Sequence, residues 1–287
     1  MDENLVLSSD GKTLYEVHNV ENLVIPDGVV KIDRCAVSSR GVVTAVIPDS
    51  VEEIGREAFR ICKSLQSVVI GSGVKKMGQE AFAGCDNLSE VTIKEGAKVI
   101  GTLAFYKDKA LEHISLPQSL TKIGEDAFCG SGLTSIVIPV GVKSIGPSAF
   151  VVRDIAEKGG LSVLKSVEFA DGCKLTTIED KAFQSASIET LTLPKKIKKI
   201  GSWAFANCKN LKTVVLPEGL EAFGEFRTFE NCESLESIHI PASLTELGWK
   251  PFEGCSKLTH ITIDPANPAY VLQDGKIFTK DLQKQII

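Results

Sequence analysis

The dipeptide Ala-Phe recurs along this chain at a nearly constant interval, and few folds accommodate such a period. It stands at Ala58-Phe59, Ala81-Phe82, Ala104-Phe105, Ala127-Phe128, Ala149-Phe150, Ala182-Phe183 and Ala204-Phe205, with weaker copies at Thr228-Phe229 and Pro251-Phe252. Nine of the 13 Phe therefore share one repeat position. Successive copies lie 22 to 24 residues apart, except for a gap of 33 between Phe150 and Phe183 that implies an insertion near residues 151–163. A period in this range marks a solenoid, because one unit of this size cannot bury its own apolar edge and stacked units can.

Other columns keep step with the Phe. Gly stands four residues before it at Gly55, Gly78, Gly101, Gly124, Gly146, Gly201 and Gly248, each preceded by Ile, Met or Leu. Cys precedes the leading Leu of the following unit by three residues at Cys62, Cys85, Cys208, Cys232 and Cys255. Each leading residue opens a short pattern such as Leu111-Glu112-His113-Ile114-Ser115-Leu116, and Pro follows at Pro26, Pro48, Pro117, Pro139, Pro194, Pro217 and Pro241. Alternation of this kind reads as a short strand with one face buried. Strands from successive units then stack in parallel about 4.8 Å apart. Pro ends each strand because it cannot donate to the ladder. The next segment carries Val51 and Ile54 inward, Gly55 is expected to permit a tight corner, and 56–61 is expected to form one turn of helix or 3-10 helix that buries Ala58 and Phe59.

These motifs resemble the leucine-rich repeat superfamily, and more closely its BspA-like (Treponema pallidum type) class, which repeats Ile-Pro, Ile-Gly-x-x-Ala-Phe and Cys-x-x-Leu in a unit of this length. The match runs from about Leu23 to about Ile263. The expected fold is an α/β-type leucine-rich repeat solenoid, a horseshoe or twisted rod with a parallel strand ladder, short 3-10 or helical turns and little regular helix. Residues 1–21 read as an N-terminal cap hairpin around Asp10-Gly11-Lys12-Thr13. Residues 22–263 hold about ten repeat units, and 264–287 read as a C-terminal cap around Asp274-Gly275-Lys276 that a longer chain would continue. Departures from the pattern are Ala36-Val37 in the first unit, Glu179 in the Gly column, and Phe226, an added residue expected to make a bulge.

Composition narrows the function classes. Lys and Arg number 32 against 37 Asp and Glu, a net charge of −5, whereas nucleic-acid binding needs a basic surplus on one face. No apolar run reaches the roughly 18 residues of a membrane-spanning helix. Met1-Asp2-Glu3-Asn4 lacks the basic and apolar regions of a secretory signal. Gly-x-Ser-x-Gly and His-Glu-x-x-His are missing from the sequence, so no catalytic residue is assigned, and no cofactor. Five of the eight Cys fall in one column that reads as a buried thiol ladder, while Cys35, Cys129 and Cys173 lie off it. Neither a disulfide nor a metal site is expected. His239 and His260 occupy neighbouring units, with Glu236 as the evident third ligand, yet solvated strand residues are the simpler reading. The basic run Lys195-Lys196-Ile197-Lys198-Lys199 reads as a solvated edge, with docking of an anionic partner as the sharper alternative.

Recognition in such arrays belongs on the outward strand face, at the second, third and fifth strand positions. Candidate binding residues there are Glu90, Thr92, His113, Ser115, Glu168, Thr192, His239 and His260. The face is small and hydroxylated and lacks large aromatic anchors, which suits a weak or multivalent contact. Trp203 and Trp249 stand beside the Gly corner and would mark a second patch if exposed. The resemblance implies a non-enzymatic adhesion or protein-binding module at a microbial cell surface or outside the cell, monomeric, with a host or matrix protein as partner and no nucleic acid or membrane insertion. The alternatives are an interaction scaffold in the cytoplasm or periplasm, or the targeting domain of a larger secreted enzyme.

Overall fold

The structure is a computed structural model, and it describes residues 3–37, 41–151 and 164–286. The expected insertion, apart from Val151, lies outside the described residues. Two compact units emerge, Met1–Gly141 and Val142–Ile287, and each is a parallel-strand solenoid.

In the first unit the strands Asn22–Val24, Thr44–Ile47, Ser67–Ile70 and Glu90–Ile93 pair in parallel and in register. A second ladder of two-residue strands, Lys31–Ile32, Glu53–Ile54 and Lys76–Met77, runs beside it. At the amino end Leu5–Leu7 pairs antiparallel with Thr13–Val17. In the second unit the long strands Thr190–Thr192, Thr213–Val215, Ser237–Ile240 and His260–Ile263 form one ladder. The short strands Ser144–Ile145, Thr177–Ile178, Lys199–Ile200 and Ala222–Phe223 form the other. An antiparallel pair, Tyr270–Gln273 with Lys276–Thr279, follows. In the inner units the first, fourth and sixth positions counted from the leading apolar residue point inward, as Leu65, Val68 and Ile70 show, while Gln66, Ser67 and Val69 face outward. That is the two-residue period of a half-buried strand.

The Phe column is the spine of each core. Phe59, Phe82, Phe105 and Phe128 stack face to face, with centroids 4.9 to 5.4 Å apart. Phe150, Phe183, Phe205, Phe229 and Phe252 do the same at 5.0 to 5.8 Å. The separation follows from the strand spacing, because each ring rides on a backbone hydrogen-bonded to the next turn. The N–H groups of Phe59, Phe82 and Phe105 donate to the carbonyls of Ala81, Ala104 and Ala127 at 2.7 to 2.9 Å. The buried turn segment is thus satisfied between turns, as a buried backbone must be.

That segment differs from the expected helical turn. No helix is present among the described residues, so none is long and apolar enough to cross a membrane. Residues 56–61 instead make successive hydrogen-bonded turns, with Arg60 N–H donating to Glu57 O at 3.1 Å and Cys62 N–H to Phe59 O at 3.3 Å. Two left-handed positions per unit interrupt any helix. One lies two residues after the Gly column, as at Glu57, Glu80, Leu103 and Trp203 (φ 54° to 58°). The other lies two residues after the Phe, at Ile61, Lys107 and Asn207, where Gly84, Gly130 and Gly254 also occur. The tight-corner role expected of Gly55 is therefore corrected, since the left-handed bend falls on Glu57 instead. Gly55 is small because a Cβ there would sit 2.7 Å from the Ile32 carbonyl oxygen of the turn below, and one at Gly78 would sit 2.6 Å from the Arg56 nitrogen. The column lets backbones touch.

Candidate functional site

The outward strand face carries two grooves, one in each unit, where the long-strand ladder loosens. In the first unit the segment after Leu111 forms no strand and meets the turn before it at the isolated bridge Thr92↔Ser115. A groove of about 640 Å³ opens there, lined by Ser89, Glu90, Thr92, His113, Ser115 and Val137. In the second unit Ser166–Phe169 lies next to Thr190–Thr192 but does not join that ladder. A larger groove of about 1210 Å³ opens beside it, lined among others by Glu168, Glu189, Thr192, Lys195 and Lys196.

The strand-face residues expected from sequence therefore fall into two sets and a remainder. Glu90, Thr92, His113 and Ser115 share the first groove, Glu168 and Thr192 share the second, and His239 and His260 belong to neither. All eight side chains are exposed. Long polar contacts touch two of them. Thr134 Oγ1 lies 3.5 Å from His113 Nδ1, and Ser166 Oγ donates to Glu168 Oε1 at 3.4 Å. In the second groove Glu189 takes a hydrogen bond and a charge from Lys212 at 2.8 Å, which holds its carboxyl below the ordinary range. The basic run divides: Ile197 is buried, Lys195 and Lys196 face the groove, and Lys198 pairs with Glu221 at 2.6 Å.

The two histidines are in adjacent strands but do not converge. His239 is directly opposite Thr262, whose Oγ1 lies 2.9 Å from His239 Nδ1. His260 is opposite Ser237, and its Nδ1 lies 2.9 Å from its own neighbour Thr259. Glu236 is not among the ligand atoms gathered near His239, where Glu218 and Asp264 stand instead.

Four of the column thiols are buried and Cys255 is half-buried, its hydrogen bond with the Cys232 thiol lowering its pKa from the ordinary value. Each column Cys donates to the carbonyl of the Phe position one turn earlier: Cys85 to Phe59 at 3.1 Å, Cys208 to Phe183 at 3.4 Å, Cys232 to Phe205 at 3.3 Å and Cys255 to Phe229 at 3.1 Å. Cys62 donates to Val37, the residue in the Phe position of the first unit, at 3.0 Å. The Cys62 thiol and burial together push the Cys85 thiol up, and burial pushes Cys208 up to about 12. Such thiols stay protonated and unreactive. Asp108 occupies this same column in its unit. It is fully buried, its Oδ1 accepts the Cys85 N–H at 2.9 Å, and its Oδ2 meets no partner. The alignment of Phe105 with Phe82 is the signal that identifies this substitution in the sequence.

On another side of the second unit, Trp203, Phe226 and Trp249 form an aromatic row. Phe226 stacks on Trp203 at 5.5 Å and meets the edge of Trp249 at 6.5 Å. Phe226 is 40% exposed and Trp249 44%. The residue added to this unit thus stands on the surface. Arg227 and Lys250 each lie 4.8 Å from the Trp249 ring centroid, so cations already occupy faces that a stacking ligand would need.

A family model described as BspA type leucine rich repeat region matches residues 38–155 and 161–273, in six copies. Among proteins with curated descriptions, none matches the chain. Several solved structures are similar. A leucine rich cell surface protein from Faecalibacterium prausnitzii A2-165 is 24% identical, over 92% of this chain and 94% of that one, with a TM-score of 0.43. The T. pallidum leucine rich repeat protein is 25% identical over 88% and 86%, with a TM-score of 0.48. A leucine-rich repeat protein from Eubacterium ventriosum is 20% identical over 90% and 69%, with a TM-score of 0.50, a likeness of fold.

Proposed function

The chain belongs to the BspA-type leucine-rich repeat family, and from that membership we propose a non-enzymatic protein-binding module whose partner is a host or matrix protein met at the microbial cell surface. The observation that carries the reading is the larger groove, where a loosened ladder brings Glu168, Thr192, Lys195 and Lys196 around one concavity. Charges of both signs and short hydroxyls favour a polar protein surface over an apolar ligand. Among the described residues no aromatic anchor larger than Phe169 lines it, so a single contact is weak and several copies on a surface would add avidity. The chain acts as a monomer in this reading, and of the eight exposed residues expected from sequence Glu168 and Thr192 belong to the contact set.

The test is binding of the purified chain to a panel of immobilised matrix proteins. Glu168→Ala, Thr192→Ala and Lys196→Ala are combined in one variant, and Glu90→Ala and His113→Ala in another. A partner that binds through the larger groove is lost by about ten-fold or more in the first variant and little changed in the second. Equal binding by wild type and both variants would remove the strand face as the contact surface.

A second reading keeps the module but moves it inside the cell or periplasm. It is favoured by the eight free cysteines, of which Cys35 is exposed, since exposed free thiols persist best in a reducing compartment. Fractionation of the native host, with the full gene product followed by antibody, separates the two.

A further inference from the structure

Glu218, His239 and Asp264 converge at one edge of the second unit, each offering a ligand atom that lies within 4.8 Å of the other two. They come from three successive turns. Glu218 follows Thr213–Val215, in the turn closed by Leu220 N–H donating to Pro217 O at 3.1 Å. His239 is on Ser237–Ile240. Asp264 follows His260–Ile263, and its own N–H donates to Ile240 O at 2.9 Å, which ties it to the turn of His239. Its Oδ1 accepts the Ala266 N–H at 2.7 Å, fixing the carboxylate and leaving Oδ2.

The repeat supplies an internal comparison. Counting from the leading apolar residue of each unit, Glu218 is at the eighth position and Asp264 at the seventh position two turns later. Asp49 and Lys94 stand in the same relation in the first unit, and there they form an ion pair at 3.0 Å. These two positions therefore bring charged groups together across an intervening turn. In the second unit they bring two carboxylates together, an arrangement that like charges disfavour without a cation between them. Histidine occurs at the fifth position only at His239, and a carboxylate at the seventh only at Asp264, where other units carry Pro, Gly, Ala or Lys. The two exceptions fall in adjacent turns.

We propose that Glu218, His239 and Asp264 bind one divalent transition-metal ion of the zinc(II) class, bracing three turns of the solenoid. One imidazole and two carboxylates are a donor set such ions accept. The Thr262 hydroxyl lies 2.9 Å from His239 Nδ1, which leaves Nε2 to meet the ion. Tetrahedral ligand atoms stand about 3.3 Å apart, a closure that the exposed Glu218 and His239 side chains reach by rotation. The fourth position opens to solvent.

Zinc(II) is titrated by calorimetry into the chelator-treated full chain carrying Cys35→Ser and Cys255→Ser, so that the accessible thiols do not compete. The expected result is one equivalent bound, unchanged in His113→Ala and weakened about 10- to 100-fold or more in His239→Ala and in Asp264→Asn. Asp264→Asn keeps the oxygen that accepts Ala266 N–H, so its folding is preserved. NMR of the ring nitrogens is expected to show the His239 signals moving on zinc addition while those of His113 stay. Equal affinity in His239→Ala overturns the proposal. So does a wild type that binds no zinc.

Discussion

Single residues show how much of this chain is prescribed by its column. At Ile61 a β-branched side chain holds φ at 61°, in a position where other units place Gly, Asn, Lys or Ser, and the left-handed conformation there costs about 1–2 kcal/mol. Asp108 is the sharper case, because it puts a carboxyl where a thiol belongs. Burial pushes its pKa well above the ordinary 3.8, so the neutral acid is the form that folds. Between the ordinary and the raised value the native chain holds a proton that the unfolded chain has released. Stability therefore falls as pH rises through that window. The variant Asp108→Cys restores the column and removes this slope. It is expected to gain about 1–3 kcal/mol over wild type at pH 8 and much less at pH 4, the magnitude of relieving an unsatisfied buried oxygen. Urea midpoints at the two pH values check this, and a difference independent of pH would refute it.

At the scale of the element, the repeat works because two columns do different jobs. The Phe rings fill the wide part of each turn, and the Gly residues let one turn lie directly on another. Gly78→Ala drives its methyl into the backbone of Gly55 and Arg56 at 2.6 Å. No flexible side chain is there to yield, so a loss of roughly 2–3 kcal/mol is expected. Thermal melting with wild type as reference measures it, and a cost under about 0.5 kcal/mol would show that the turns are less tightly stacked than the structure has them. The exposed ion pairs between turns, such as Lys76–Glu53 at 3.0 Å and Lys63–Asp86 at 2.6 Å, contribute little by comparison, since exposed pairs are worth about 0–1 kcal/mol.

For the molecule as a whole, stability is a sum over turns and their interfaces. Hydrogen exchange is expected to be slowest at the amides of Phe82 and Phe105, whose bonds run between turns at 2.9 and 2.8 Å inside a stacked core. It is expected to be fastest in Leu5–Leu7, an edge strand paired only with Thr13–Val17. Uniform protection along the chain would instead indicate a single cooperative globule.

The solenoid, its strand face and the buried thiol column are legible in the sequence because each turn repeats the same contacts, so the period of the contacts is written as a period of residues. The reason for the Gly column, the left-handed positions after it and the two grooves are not legible, since they depend on how closely one backbone approaches another. The same holds for Glu218, His239 and Asp264. They sit in three different columns, 21 and 25 residues apart, and only the stacked turns show that those columns meet. Side-chain reach across stacked turns is a distance in space, and only the folded chain sets it.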